Sequence, residues 1–185
     1  MKHIGREVVI KDNAIPSDKC AALISIFEDD KSMIQRLDEE YDGETQYDNI
    51  ALFNTFNNAA PNLKKFVINL IESSVKEYKE LLNINIFLGS QFELPEIMKF
   101  RCNQDQFDAH FDANGVDHNR TLTLIWYLND VVEGGELHIP SKENYIKIKP
   151  KEGRLAIVPT DWTLYHYITT PVSSDRYSLI TFIRY

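Results

Sequence analysis

The stretch Phe107-Asp-Ala-His-Phe-Asp112 decides how this chain is read, together with a second stretch near the C-terminus, Tyr165-His-Tyr-Ile-Thr-Thr-Pro-Val-Ser-Ser-Asp-Arg-Tyr-Ser178. The first reads as a strand, so the side chains of His110 and Asp112 leave one face with their Cα atoms roughly 7 Å apart. Two ligands on one face can share an ion, and His166 would complete the set. Two imidazoles and one carboxylate on one side of a metal, with open positions opposite, form the facial triad of non-haem Fe(II) oxygenases. A His-x-Asp pair alone is a weak signal, because 28 of the 185 residues are acidic and chance pairs are common. The weight comes from the ordered set of motifs around it.

The length of 185 residues fits a single domain, 1–185. Hydrophobic content of 43% with 26% charged residues is that of an ordinary globular protein. A net charge of -8 argues against nucleic acid or an anionic membrane as the main partner. The first twelve residues hold no apolar run of signal-peptide length, and no later run approaches a membrane span, so the expected location is the cytoplasm. Cys20 and Cys102 lie in unrelated segments without CxxC spacing, which points to two buried thiols and neither a disulfide framework nor a zinc site.

Along the chain, 8–10 reads as a strand, and Ser17 as the N-cap of a helix carrying Cys20, Leu23, Ile24 and Phe27. From 31 to 58 the sequence is polar and without clear period, which predicts irregular structure and, given its length, a candidate lid. Pro61 opens a second helix with apolar residues at three- and four-residue spacings from Leu63 to Leu82. After Asn83 the pattern turns to β, with strands expected near 85–88, 96–102, 105–111, 121–128, 136–139, 145–148, 154–158, 165–168 and 176–184. The fold class is therefore mainly β with N-terminal helices. Residues 1–84 form a helical support and 85–185 a jelly-roll core, with the helices packed on one sheet.

Strand 121–128 has two unlike faces. Leu122, Leu124, Trp126 and Leu128 make one apolar face, suited to packing beneath helices. Thr121, Thr123, Ile125 and Tyr127 make the other, whose hydroxyls need partners inside a sandwich, such as a polar ligand. The last strand divides likewise, with Arg176, Ser178, Ile180 and Phe182 on one side.

Taken in order, these pieces resemble the Fe(II)/2-oxoglutarate dioxygenases of the prolyl hydroxylase type. The resemblance runs from about 97 to 185 through Phe107 to Asp112, Arg-Thr-Leu-Thr-Leu-Ile-Trp-Tyr-Leu-Asn at 120–129, Gly-Gly-Glu-Leu at 134–137, Ile-Lys-Pro-Lys-Glu-Gly-Arg-Leu at 148–155, His166, Pro171-Val172 and Arg176-Tyr-Ser178. It implies a double-stranded β-helix, with iron held by His110, Asp112 and His166 as the catalytic centre. It also implies that Arg176 binds the distal carboxylate of 2-oxoglutarate, with Tyr127 and Ser178 beside it; Thr123 joins the candidate cosubstrate contacts. O₂ is the oxidant, and ascorbate is an expected stimulant. At Arg101 and Gln104 the chain departs from a tyrosine and a glycine carried by many prolyl 4-hydroxylases, a departure on the substrate side.

The expected activity is hydroxylation of a peptidyl residue, proline first, with release of succinate and CO₂ and with a peptide or protein as partner. Hydroxylation of a free amino acid or other small molecule is the alternative within the enzyme class. A jelly-roll module that only binds metal or ligand is the alternative outside it, though such a module need not keep Arg176. His3, His118 and His138 read as incidental, Trp126 and Phe182 as core, and Trp162 as either pocket rim or plain surface.

Overall fold

The computed structural model describes residues 1–29, 34–39, 45–51, 61–85, 88–89, 91–140 and 144–185. Among the described residues, two helices, α1 (Ser17–Asp29) and α2 (Pro61–Leu81), precede most of the β structure. The strands are β1 (Lys2–Gly5), β2 (Val8–Lys11), β3 (Gln35–Glu39), β4 (Thr45–Ala51), β5 (Gln91–Phe92), β6 (Glu96–Phe100), β7 (Phe107–His110), β8 (Arg120–Tyr127), β9 (Leu137–Pro140), β10 (Tyr145–Ile148), β11 (Leu155–Pro159), β12 (His166–Ile168) and β13 (Arg176–Arg184). They form two antiparallel sheets. The larger runs β1-β2-β11-β8-β13-β6-β4-β3, with β5 on the end of β13, and the smaller runs β10-β9-β12-β7. This is the jelly roll expected from the sequence, with helices on one face of the larger sheet.

The chemical contrast between the faces of β8 explains the layering. Leu122, Leu124, Trp126 and Leu128 join Ile97, Leu179 and Ile183 in a core that takes up Cys20, Leu23 and Phe27 of α1 and Leu63, Val67, Ile71 and Tyr78 of α2. Ile125 and Tyr127 join a second core between the sheets, with Phe100, Leu137, Ile139, Val158, Leu164 and Ile168. A face of four large apolar side chains repels water enough to hold two helices, whereas the mixed face leaves room for polar groups inside the sandwich.

Several expectations change. The 31–58 stretch is not wholly irregular, since β3 and β4 form a hairpin added to the edge of β6. Its polar side chains hid the strand period because they find distant partners. The Arg36 guanidinium donates to Asp105 at 2.7 Å and to Asp48 at 3.2 Å, and Leu37 sits opposite Tyr47 on the face turned to the cleft. The rest of that stretch, apart from residue 34, lies outside the described residues, and so does the lid reading for it. Strand β1 was not anticipated; it pairs with β2 through a tight turn at Arg6 and Glu7, both at positive φ. The strand expected at 85–88 is absent at 85 and 88, while 86–87 are outside the described residues. Ser17 lies inside α1, where Pro16 carbonyl oxygen accepts from the Lys19 and Cys20 amides, because the Ser17 hydroxyl donates to Glu152 instead of capping. Cys20 is buried, but Cys102 is part-exposed and donates to Val172 oxygen at 2.8 Å.

One buried charge ties the hairpin to the strand that carries His110. Asp105 is 0% exposed, two residues before β7. Its carboxylate accepts from Arg36 and from the Arg101 amide at 2.7 Å and guanidinium at 3.0 Å. Burial works to raise its pKa, but the two guanidiniums outweigh that and hold it below the usual carboxylate range. Removing one member of a buried, hydrogen-bonded charge set is strongly destabilising. We expect Asp105→Ala to lose about 3 kcal/mol of unfolding free energy in a denaturant titration, at the low end for such removals because both arginines reach water. An unchanged midpoint would show that this carboxylate does not hold the hairpin in place.

Candidate active site

Pairing of β12 with β7 puts His166 directly opposite His110, with ring centroids 4.5 Å apart. Strand β7 ends at His110, earlier than the sequence pattern suggests, because the chain turns away there and the Ala113 amide bonds to Thr160 oxygen at 3.0 Å. That turn still returns Asp112 to the same point. Its Oδ1 lies 3.3 Å from His110 Nε2 and its Oδ2 lies 3.7 Å from His166 Nε2. The three ligand atoms fall within 4.8 Å of one another, and this is the one such group of three or more His, Cys, Asp or Glu residues among the described residues.

The atoms behind the ligands fix which ones face inward. His110 Nδ1 lies 2.7 Å from Asp108 oxygen and His166 Nδ1 lies 2.8 Å from Leu164 oxygen. Each carbonyl requires a proton on Nδ1 and leaves a lone pair on Nε2, the tautomer that binds a metal. The Thr123 hydroxyl donates to Asp112 Oδ2. Phe107 stacks on the His110 ring at 3.9 Å between centroids and is braced by Tyr47 at 5.3 Å, so the β3–β4 hairpin helps set that imidazole. Asp112 is 8% exposed. Burial alone would raise its carboxyl, but the two imidazoles and the Thr123 hydroxyl bring it down to about 2. Burial acts to lower both histidines; it prevails at His166, whereas at His110 the adjoining carboxylate reverses it. An anionic carboxylate and a neutral, well-oriented imidazole together suit a divalent metal.

These ligands line a cleft of about 450 Å³ between the sheets. Farther in lies Arg176, 1% exposed, with its Nε and Nη1 lacking hydrogen-bond partners. Its guanidinium lies over the rings of Phe100 and Tyr127, at 4.8 and 5.1 Å to their centroids. The Tyr127 hydroxyl and Ser178 Oγ, also buried, make no well-formed hydrogen bond among the described residues, although Tyr127 stands close enough to the guanidinium to hold up its pKa. Register explains the grouping, because Arg176 pairs with Phe100 across β6, and Ser178 sits between Met98 and Tyr127. Gly135, at a positive φ of 73°, opens space beside the arginine, since a Cβ there would stand 3.3 Å from Arg176 Cδ.

Other residues fall differently. Phe182 is not core but lines the cleft, beneath the Arg120 guanidinium at 3.7 Å. Trp162 is 73% exposed and does not line the cleft. His138 bonds to the Tyr167 hydroxyl at 2.9 Å, and the His3 and His118 rings bond to nearby backbone. Arg120, Glu93 and Glu96 reach the cleft without having been singled out, although Glu96 alternates with Met98 and Phe100 on what reads as an inward face. A larger groove of about 670 Å³, between α2 and residues 83–92, holds none of the candidate ligands.

Comparison with known proteins agrees with this geometry. Residues 97–184 match the family model of the 2OG-Fe(II) oxygenase superfamily. No curated protein matches the sequence. Among solved structures, a Pseudomonas putida prolyl-4-hydroxylase aligns with a TM-score of 0.69 at 17% identity, over 96% of this chain and 92% of that one. A Trichoplax adhaerens prolyl hydroxylase, in complex with a hypoxia inducible factor oxygen degradation domain peptide fragment, aligns at 0.74 with 16% identity, over 96% and 83%. The viral collagen prolyl hydroxylase of Paramecium Bursaria Chlorella virus-1, in its 2OG complex, aligns at 0.62 with 19% identity, over 97% and 96%.

If the trio is the metal site, Asp112→Ala should reduce Fe(II) or Mn(II) binding in anaerobic equilibrium dialysis by two orders of magnitude or more. Thr123→Val, which leaves the ligands but frees the carboxylate, should lose about ten-fold. Stoichiometric metal retained by Asp112→Ala would remove the carboxylate from the site. Residues 97–184 thus resemble the 2OG-Fe(II) oxygenase superfamily, in a chain with the fold of the prolyl hydroxylases.

Proposed function

We propose that this protein is a 2-oxoglutarate-dependent dioxygenase that hydroxylates a peptidyl residue, proline first. The observation that carries the reading is Arg176. A guanidinium sealed in a sandwich without an anion is costly, and is tolerated where a ligand supplies the missing charge. A dicarboxylate fits: one end can take the free Nε and Nη1 together with the Tyr127 and Ser178 hydroxyls, while the other reaches toward His110, Asp112 and His166 in the same cleft.

In this reading Fe(II) is held by His110 Nε2, His166 Nε2 and Asp112, and 2-oxoglutarate by Arg176. Bound iron with O₂ supplies the oxidising power, with 2-oxoglutarate leaving as succinate and CO₂ and one oxygen atom entering a C–H bond of the substrate. The chain's own share is placement. Arg176 sets the distance of the cosubstrate through charge-assisted, forked hydrogen bonds. Thr123 and the carbonyls of Asp108 and Leu164 keep the three ligands aimed at one point. Ile125, Leu137, Ile168 and Ile180 line the surrounding wall and exclude water.

A peptide substrate is supported by the likeness to the Trichoplax hydroxylase, whose structure holds a peptide fragment. A small-molecule substrate, such as a free amino acid, is the second reading, favoured by a cleft volume within the range of small-molecule sites. The test is succinate formation by protein reconstituted anaerobically with Fe(II) and ascorbate, then exposed to air with 2-oxoglutarate and a proline-peptide panel. Peptide-stimulated succinate, absent in His110→Ala, supports the first reading. Succinate indifferent to every peptide directs the search to small molecules, and none at all with iron bound contradicts both.

Arg176→Met gives a separate prediction. Losing hydrogen bonds to a charged group amounts to about 1.5–3 kcal/mol, or roughly 10- to 150-fold weaker binding of 2-oxoglutarate. The apo protein should melt no lower than wild type, because an unpaired buried charge has been removed. Unaltered 2-oxoglutarate affinity would exclude the arginine from the site.

A further inference from the structure

Six charged residues line the cleft: Glu93, Glu96, Asp112, Asp117, Arg120 and Arg176. Four are already matched. Asp112 belongs to the histidine pair. Arg120 donates to Glu93 at 2.7 Å and pairs with Asp117 at 3.1 Å, and Arg184 closes the set from outside the cleft by reaching both carboxylates at 2.5 Å. Under the proposed function Arg176 takes the cosubstrate. The Glu96 carboxylate alone is left, making no hydrogen bond or ion pair with the described residues.

Its position is specific. On β6, Glu96 stands opposite Ile180, which in turn faces Ile125 on β8. The next row along β13 pairs Phe182 with Thr123, whose hydroxyl holds Asp112. Arg176 lies four residues back, roughly 13 Å away along the strand. Glu96 is thus nearer the metal ligands' row than the cosubstrate anchor, on the cleft's outer half, where Leu94 is exposed at the mouth. Its neighbours on that wall, Met98, Ile125 and Ile180, are apolar, and the Arg120 guanidinium, already engaged by Glu93 and Asp117, offsets its charge only in part.

We propose that Glu96 is a specificity-determining residue that receives a cationic group of the substrate, an aliphatic ammonium or a guanidinium, beside the carbon to be oxidised; this rests on the 2-oxoglutarate oxygenase reading. Burial, with the nearby Glu93 charge, raises the Glu96 carboxyl against the weaker pull of Arg120. An incoming cation relieves both penalties, whereas an anionic or purely apolar group leaves the carboxylate desolvated and unmatched. Discrimination of this kind exceeds what an apolar wall gives, because the wrong substrate strands a buried polar group.

The test uses the full chain loaded anaerobically with Fe(II) and 2-oxoglutarate, so that binding is read without turnover. Calorimetric titrations compare free lysine, arginine, norleucine and glutamate, and a proline peptide in four versions carrying each of these beside the proline. A cationic probe should bind at least about ten-fold more tightly than its norleucine match. That preference should vanish in Glu96→Gln and turn toward the glutamate probe in Glu96→Lys, with 2-oxoglutarate affinity unchanged in both. A preference confined to the peptides or to the free amino acids identifies the source of the cation. An equal preference in wild type and Glu96→Gln, or none for cations in wild type, overturns the proposal. The preceding titration of 2-oxoglutarate judges the oxygenase reading separately, because Arg176 and not Glu96 governs it.

Discussion

The unmatched guanidinium of Arg176 is the constraint on which the architecture turns. A positive charge at 1% exposure, over two aromatic faces and without a carboxylate of the chain beside it, is a standing expense of several kcal/mol to the fold. The surroundings reduce it only in part: the rings of Phe100 and Tyr127 offer their negative faces, yet burial still leaves the arginine's pKa lowered. The apolar core between α1, α2 and the larger sheet, anchored by Trp126 and Phe27, supplies the stability that such a site consumes. In the proposed function, the charge is satisfied when the cosubstrate arrives.

The sandwich sorts chemistry by depth. Along β13, alternate residues Arg176, Ser178, Ile180 and Phe182 look into the cleft, and their partners on β8 and β6 complete successive rows. The two innermost rows carry the cation and then the hydroxyls of Ser178 and Tyr127. The outer rows carry Ile125 and Glu96, then Thr123 and Phe182, facing the histidines of the smaller sheet. A one-residue slip of β13 against β8 would turn Arg176 toward the helices, so the period of two that buries Leu179 and Ile183 on one side also fixes the candidate anion site on the other.

The same period explains what was legible in the sequence. On β8 and β13 the two faces differ in chemistry, apolar against hydroxyl and charge, so alternation could be read residue by residue. His110, Asp112 and His166 could be assembled because their spacing falls within an ordered set of motifs. The β3–β4 hairpin could not. Its strands show one large apolar residue each toward the cleft, Leu37 and Tyr47, and Arg36 is satisfied by Asp105, 69 residues away. The standing of Glu96 was hidden for a similar reason. Glu93, Glu96 and Asp117 look alike in sequence, and only the folded arrangement of Arg120 and Arg184 shows which carboxylates are already paired.

The central claim is that the three ligands and the buried arginine form one site, bridged by a single dicarboxylate. Coupling between metal and 2-oxoglutarate tests it most directly, by anaerobic calorimetry of 2-oxoglutarate binding with and without Mn(II), and of Mn(II) binding with and without 2-oxoglutarate. One shared site predicts that each ligand tightens the other by the same factor, at least about ten-fold. Binding of either ligand that ignores the other would contradict it.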